Sequence, residues 1–546
     1  MRTFLFNIIK MKKLKLVGFA IAMACATPSF AGGLLTNTNQ HVAFNRMMSR
    51  EASIGIDGVY YNPAGVVFMG EGHHLAINWQ LAYQTRSIEN DYDLFSNNVN
   101  NPTPPTTPRT FKGEAFAPVI PSFQYAYNKG RWSLQASFAL TGGGGKCTFD
   151  NGLGSFEKIV AETAMAACGL ARTVDNVLGN TLGQPGMQMF TTDQAFGQKG
   201  EYSYNSYMHG RQYYYGLSVG AAYKFCDNFS AFAGVRGVYA STNYYGYVEN
   251  IKVGNMPLYK VLDPNKENAA NIELSCDQSG IGFTPIIGVD FKTGKWNFSA
   301  KYEFKTRIRL KNKSVNQAPS ISALPDNLSR QMVGTLTQVF TNKGMTPENA
   351  QAEATKTTQA VLTNGDVVKT MAGLKTQFDA KLDEAIGEYE DGKKIAGDIP
   401  AYLALGVGYS PIDAVRVNVG FHWFDDKNAT SYKNRNKELK RGTLEYNAGV
   451  EVDVNKKITL STGWQNTNYG LSDEYMDDKS FVVSSNSAAV GGVYHINKKM
   501  DLNVAYFHTF YQHKKTSEKV EQIGKTYSSD YTRNNNVFAV GLDINF

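Results

Sequence analysis

Beyond residues 1–31, this chain has no run of the roughly eighteen apolar residues that a membrane-crossing helix needs, and its mean hydropathy is negative. It also has little net charge. The formal balance is +7, but Arg2, Lys10, Lys12, Lys13 and Lys15 lie in residues 1–31 with no acid beside them, which leaves +2 for the remainder. That near-balance excludes the basic footprint of a nucleic-acid binder. Histidine is scarce, and its positions show no metal-ligand spacing. His73 and His74 would point to opposite faces of an extended segment. Catalytic motifs are absent in substance. Gly216, Ser218 and Gly220 fit the hydrolase G-x-S-x-G pattern, but they lie inside an alternating run, whereas that motif needs a sharp strand-to-helix turn. The Gly142–Lys146 run lacks the first glycine of a phosphate loop, since Leu140 stands there and Cys147 follows the lysine. We expect no enzyme, no cofactor and no metal site.

The N-terminus is a targeting segment. Lys10 to Lys15 form a basic region, Leu16 to Ala26 an apolar run, and Ser29-Phe30-Ala31 a small-x-small cleavage site, so the mature chain is expected to begin at Gly32. Met11 is an alternative start, and Cys25 raises the alternative of a lipid-modified cysteine. Export without a helical anchor leaves a large secreted protein or a transmembrane barrel. With 31 Tyr, 31 Phe and 51 Gly against 17 Pro, the composition favours the barrel, because aromatic residues suit interfacial girdles and glycine suits tapering strands and turns.

From residue 73 onward apolar and polar residues alternate with period two. Val415, Val417, Val419, Phe421 and Trp423 alternate with Arg416, Asn418, Gly420 and His422. Trp296 to Phe304 and Leu444 to Val454 behave alike. Alternation alone fits a soluble sandwich as well as a barrel, and the connections decide between them. Six are short and carry turn chemistry, near 128–130, 226–228, 293–295, 410–413, 455–457 and 497–499. Seven are long and polar, near 93–115, 141–206, 250–267, 311–395, 425–440, 468–485 and 514–530. Short and long alternate strictly, which is the asymmetry of an outer-membrane barrel with tight periplasmic turns. The expectation is an all-β fold: a 14-stranded antiparallel transmembrane β-barrel (73–546) with both termini periplasmic. Trp132 and Trp296 fall where an inner aromatic girdle would sit. The last strand alternates to Phe546, a signal for barrel assembly machinery. Helical spacing of Met371, Leu374, Phe378, Leu382 and Ile386 places a helical insertion in the extracellular loop 311–395, and loop 141–206 is expected to hold a short helix near 159–174.

Residues 32–72 are not strand-like, and a barrel has to place them. Asn62-Pro63-Ala64-Gly65 alone reads as a turn. In context, Glu51-Ala52-Ser53-Ile54 leads to Tyr60-Tyr61-Asn62-Pro63-Ala64-Gly65 between the cleavage site and the first strand, and Thr141 to Lys146 precede Phe149-Asp150-Asn151-Gly152 and Ser155-Phe156-Glu157. Together with the strand count, this resembles the FadL-type outer-membrane transport proteins for long-chain fatty acids and aromatic hydrocarbons. The link from Ile54 to Tyr60 is shorter than in that pattern. The resemblance implies a hatch, or plug, over 32–72 inside the lumen. It implies that Asn62, Pro63 and Ala64 contact an inward kink in the third strand, and that substrate leaves sideways through the opening there. The third strand is placed at about Trp132–Leu140, and no residue in it marks the kink.

The expected function is passive outer-membrane transport of hydrophobic small molecules such as long-chain fatty acids. The expected surroundings are outer-membrane lipids, and the expected state is a monomer. Two other readings are a non-specific porin or surface-binding, adhesive barrel, and an outer-membrane lipid hydrolase. A simple porin has no use for residues 32–72. For a substrate carboxylate, the lumen-phase cations Arg236, Lys301, Lys305, Arg307 and Arg416 are candidates, unless they pair with Glu303, Glu445, Glu451 and Asp453. Cys147 and Cys168 share one loop and either form a disulfide or stay free, as Cys226 and Cys276 do.

Overall fold

The computed structural model describes residues 33–36, 39–101, 106–521 and 523–546; the targeting segment lies outside them. Fourteen strands form one closed wall in which each strand runs antiparallel to its neighbours. They are β1 (Gly72–Asp91), β2 (Arg109–Lys129), β3 (Trp132–Phe149), β4 (Tyr202–Cys226), β5 (Phe229–Val253) and β6 (Ile272–Thr293). Next come β7 (Trp296–Glu303, resuming at Arg309–Gln317), β8 (Lys394–Ala396, resuming at Tyr402–Ile412), β9 (Val415–Phe424) and β10 (Thr443–Asn455). The set closes with β11 (Ile458–Asn468), β12 (Ser485–Asn497), β13 (Met500–Tyr511, resuming at Lys514–Val520) and β14 (Lys525–Asn545). A two-residue ribbon, Met256–Pro257, extends β5. The first and last strands pair along their length, from His74 opposite Asn545 to Asp91 opposite Ser528, and so seal the barrel.

Period two sorts the side chains. On β9, Val417 and Val419 are exposed outside, while Asn418 and His422 are buried inside. Trp132 and Trp296 stand exposed just past tight turns. The six short connections fall where the sequence places them. None of the described helices is long and apolar enough to cross a membrane, which says nothing of the strands.

Two strands differ from expectation at their upper ends. β3 continues nine residues past Leu140, so Thr141–Lys146 is wall and not loop, and β4 begins at Tyr202. β4 supplies the reason: its backbone offers partners to β3 as far as Phe149, which overrides the weak strand character of four glycines. The connection between them holds one long helix, α3 (Gly154–Thr181), rather than a short one.

Residues 39–71 pack against inward-facing wall residues. They contain α1 (Val42–Met47) and the single turn α2 (Gly58–Tyr61). α1 starts at His41, whose Nδ1 accepts from the Ala43 amide, and ends at Met48 in the left-handed region, φ 57°. The wall makes room for this turn with glycine. A Cβ at Gly449 or Gly463 would overlap the Met47 carbonyl, and one at Gly420 would overlap the Glu51 carboxylate. At the long-loop end, α3 packs with α4 (Leu324–Asn342), α5 (Pro347–Leu362) and α6 (Gly365–Ile386). They share an apolar core that includes Val174, Leu178, Met332, Leu336, Ala354 and Val361.

Replacing Gly463 with valine should push α1 off β10 and β11 while leaving the wall ladder intact. Limited proteolysis of the variant in detergent should then cut within 39–71; a cleavage pattern unchanged from the parent protein would contradict the close-approach role.

Candidate functional site: an opening in the wall above a tethered hatch

The ladder between β2 and β3 is interrupted. It runs from the tight turn to Ser122 opposite Ala139, and it resumes at Ala115 opposite Cys147. Between these pairs, Phe116–Pro121 and Leu140–Lys146 have no partners in each other. Both margins are made by residue type. Pro118 and Pro121 bring no N–H to a ladder. On the other margin, Gly143 and Gly145 adopt φ of 93° and 84°, which side chains rarely tolerate. β3 keeps its bonds to β4 only by skipping Thr141 and Gly144, so it bulges twice within four residues. β2 skips once against β1, near Pro118 and Val119. Trp79 outside the wall donates its indole N–H to the Pro118 carbonyl at 2.9 Å, which satisfies one of the exposed acceptors.

Inside this opening lies a cavity. Ile120 and Gly143, one from each margin, line it, with Leu34 and Thr36, Phe507 of β13, Val537 of β14 and Phe481 of the connection before β12. Leu34 reaches the bulge itself: a Cβ at Gly142 would lie 2.8 Å from its Cδ1. Two arginines, Arg86 of β1 and Arg533 of β14, enter the same cavity.

The Asn62-Pro63-Ala64 turn meets the wall elsewhere. Asn62 Nδ2 donates to Asp290 Oδ2 on β6 at 2.6 Å, and Ser230 of β5 donates to the Ala64 carbonyl at 2.7 Å. Among the described residues, β3 bonds to the motif below the break, where Gln135 Nε2 donates to the Pro63 carbonyl at 2.8 Å. The expected contact between the motif and the kink is therefore displaced. Gln40 makes it instead. Its Nε2 donates to the Leu140 carbonyl at 2.7 Å, and its own carbonyl accepts from Ser122 and Gln124 of β2, both at 2.7 Å. Gln40 thus spans β2 and β3 at the lower edge of the opening. Its amide donates to the Tyr61 hydroxyl at 2.9 Å, which links the Tyr60-Tyr61-Asn62-Pro63 stretch to the kink through one residue.

A crystal structure of a Pseudomonas aeruginosa FadL homologue superposes with a TM-score of 0.56, covering 94% of this chain and 100% of that one at 14% identity. The chain has the FadL fold. The P. putida toluene transporter TodX superposes with a TM-score of 0.45 at 12% identity, covering 90% of this chain and 94% of that one. No protein-family model and no curated protein matches the sequence.

Within this FadL fold, four of the five sequence-designated cations have partners. Arg236 grips Glu303 with both terminal nitrogens, at 2.6 and 3.1 Å. Lys301 donates to Glu303 at 3.0 Å and to the Tyr60 carbonyl at 2.7 Å. Arg416 holds Glu451 and Asp453. Lys305 donates to the Asn428 carbonyl at 3.1 Å and lies 3.8 Å from Asp398. Arg307 is exposed on the outer face. The break in β7 explains it: Lys301 and Glu303 are buried before the break, and Thr306, Ile308 and Leu310 after it, so the inward phase changes from odd to even. Ser218 sits within the unbroken strand β4 and accepts from Arg236 Nε at 3.0 Å. Cys147 and Cys168 are not bonded to each other. The extension of β3 carries Cys147 into the wall, among Ile88, Ala115 and Phe149. Cys168 is on α3, where its thiol donates to the Gly197 carbonyl. Cys226 and Cys276 are free as well.

The same charges tether the hatch. Arg46 donates to Glu451 and, at 2.9 Å, to Ser461. Arg50 binds Asp57 at 2.7 Å and lies 3.7 Å from Glu451. His422 stands between Glu51 of the hatch, at 2.8 Å, and Glu445 of β10, at 2.9 Å.

Two further apolar pockets lie toward the helical layer at the long-loop end, the cap, and α3 lines both. One is bounded by Leu170, Val174, Leu262, Leu328 and Phe378. The other is bounded by Phe156, Val160, Met208 and Leu274. Phe156 and Met208 also belong to the apolar cluster that contains Ala115, Phe481 and Tyr511, three residues of the lumen cavity. Beside the second pocket, Tyr389 packs on Tyr244. Burial pushes the carboxyl of its neighbour Glu388 well above the usual carboxylate range, against the pull of Lys479.

Sequence phase alone identifies Arg86 and Arg533 as luminal, because Ile77, Trp79 and Tyr83 mark the outer face of β1 and Phe538 that of β14. The proline pair and the glycine run are likewise visible, but their meaning depends on lying across from each other. Glu451→Gln leaves Arg46, Arg50 and Arg416 short of a buried counter-charge. Breaking such a group costs about 3–5 kcal/mol, and the urea unfolding midpoint in detergent should fall accordingly. A midpoint equal to the parent's would remove the network from the stability of the fold.

Proposed function

We propose that the chain is an outer-membrane transporter that moves hydrophobic compounds, long-chain fatty acids among them, down their gradient. It releases them sideways through the opening between β2 and β3. The observation that carries this reading is that one cavity is lined by both margins of the opening and floored by the start of the hatch. A pore for polar solutes has no use for a wall that opens toward lipid.

Residues 32–72 act as the hatch. The two cap pockets receive substrate, and the Phe156 and Met208 cluster separates them from the lumen. The physics favours such a route. A greasy tail that stays against apolar side chains avoids about 0.8 kcal/mol of re-solvation per CH₂ at each step. Without an energy source the protein can only flatten this profile, and an apolar path does so. The exposed C-terminal Phe546 is the handle for barrel assembly machinery, and the protein works as a monomer.

The bulges make the opening removable. Seven residues of β3 face six of β2 across the gap, and two of the seven and one of the six are bulge residues. Deleting Thr141 and Gly144 leaves five residues of β3 opposite the five of β2 that are not bulged, so the ladder can close. Cells carrying the deletion should take up labelled oleate at the rate of cells lacking the protein, while the barrel remains folded by its resistance to detergent at room temperature. Oleate uptake at the parental rate would contradict lateral release. Uptake of a small polar solute with no effect on oleate would contradict the transport reading as a whole.

A further inference from the structure

We propose that the outer face of β7, above its break, is a binding site for the phosphate groups of an outer-leaflet glycolipid. This rests on the outer-membrane placement in the reading above and is independent of what the lumen carries.

The break in β7 creates the site. Thr306, Ile308 and Leu310 turn inward there and are fully buried. Arg307 at the break, and Arg309, Lys311 and Lys313 on the resumed strand, therefore take four successive outward positions, and all four are exposed. Lys394 of β8 stands directly opposite Lys311. Like charges that face each other on a sheet repel. Asp398, buried beneath the stripe, holds Arg309 at 2.9 Å and lies 3.8 Å from Lys305. Among the described residues, Arg307, Lys311, Lys313 and Lys394 take part in no ion pair and no side-chain hydrogen bond. A polar recess flanks Lys311 and Lys313 and is lined also by Tyr239, Ser241 and Ser279. Its two acids are held by neutral donors: Asp277 accepts from Asn243 Nδ2 and Asp391 from the Ser314 amide, both at 2.8 Å.

The stripe begins where the hydrocarbon ends. Along β6 the outward residues Phe291, Val289, Ile287, Phe283 and Ile281 are exposed and apolar, and Ser279 and Asp277 follow them. From Phe291 to Ile281 is about 33 Å of strand, or about 25 Å upright at the usual tilt, which is the height of a barrel's apolar band. Ile281 marks its upper edge. Cβ atoms on Gly282 and Gly280 would touch the Arg307 and Arg309 carbonyls, so these arginines stand level with Phe283 and Ile281. A guanidinium there is short of water, and its long stem reaches up to the boundary. A phosphate at the boundary accepts from two nitrogens of such a fork, and the lysines above add point charge. From Arg307 to Lys313 is about 20 Å, room for a headgroup with a phosphate at each end. The acyl chains of the same molecule would lie on Ile281, Phe283 and Phe304, which are exposed. Free phosphate matches the basic half of this surface alone, whereas a phosphorylated lipid matches both halves. Lys311 and Lys394 also stand on the two strands joined by the connection that carries α4, α5 and α6, so a phosphate between them ties the roots of the helical insertion together.

The test uses the full chain, freed of lipid in a non-ionic detergent. The probes are bisphosphorylated lipid A, the same lipid stripped of its phosphates, and inorganic phosphate. The parent protein should bind the phosphorylated lipid at least tenfold more tightly than the stripped one. Lys311→Gln with Lys313→Gln and Lys394→Gln should weaken binding of the phosphorylated lipid at least tenfold, with the stripped lipid unchanged. Lys456→Gln with Lys457→Gln and Lys498→Gln, in short turns at the other end of the barrel, should bind as the parent does. Equal binding of the two lipids by the parent would overturn the assignment with no variant needed, and so would parental affinity in the β7–β8 variant. Inorganic phosphate that binds as tightly as the phosphorylated lipid would make the surface an adventitious anion site and overturn it too. A parent that inserts into vesicles but shows no preference between the lipids overturns this assignment alone. Failure to insert into any vesicle overturns the outer-membrane placement with it.

Discussion

A backbone group facing hydrocarbon has no water to bond, and leaving it unpaired costs several kcal/mol. Nearly everything in this structure follows from that constraint. It closes β1 onto β14 and keeps the fourteen strands in antiparallel order, with the ladder interrupted between β2 and β3 and at the break in β7. Against that background the stretch where β2 and β3 part stands out. It exists because the residues there have been chosen to need less. Pro118 and Pro121 have no N–H, Trp79 satisfies one carbonyl from outside, and Gln40 satisfies another from inside. The glycines let β3 bend inward while β4 still holds it.

A wall with an opening needs something to control it. The hatch is held by the opposite strategy from the wall, through charge rather than backbone pairing. Arg46, Arg50 and Glu51 reach Glu451 and His422 on β10 and β9, and Lys301 holds the Tyr60 carbonyl. These contacts lie on the side of the lumen away from the opening. On the opening's own side, the hatch is held mainly by neutral hydrogen bonds from Gln40 and by the packing of Leu34. The firm anchor and the lighter contact sit at opposite walls, so the segment near the kink can yield without releasing α1.

Much of the fold was legible because its signals are local. Period two fixes which side chains face out, and tight turns that alternate with long loops fix the strand count. Alternation ends the third strand at Leu140, because glycine carries none. What holds Thr141–Lys146 in the wall is β4, sixty and more residues on. Period two places Arg307 in the lumen, but a break of a few residues in β7 inverts the phase, and a break is not a residue type. For Arg236, Lys301 and Arg416 the phase was readable but the partners were not. Cys147 and Cys168 were neighbours only on the assumption of a shared loop. The Asn62-Pro63-Ala64-Gly65 motif was visible, yet its contact with β3 at Gln135, below the kink, belongs to the folded lumen alone.

The central claim is that substrate leaves through the opening between β2 and β3, and the structure offers a direct lock. A Cβ on Gly145 would lie 3.5 Å from that of Ala117 across the gap, within the range that a disulfide spans. In a Cys147→Ser background, Ala117→Cys with Gly145→Cys can be stitched by oxidation and released by reductant, and Ala117→Cys with Gly145→Ala carries the same left-handed backbone strain without a bridge. The decisive measurement is oleate uptake by the same cells before and after reduction. The account predicts uptake that is blocked when oxidised and restored when reduced. Full uptake with the bridge demonstrably formed would contradict it.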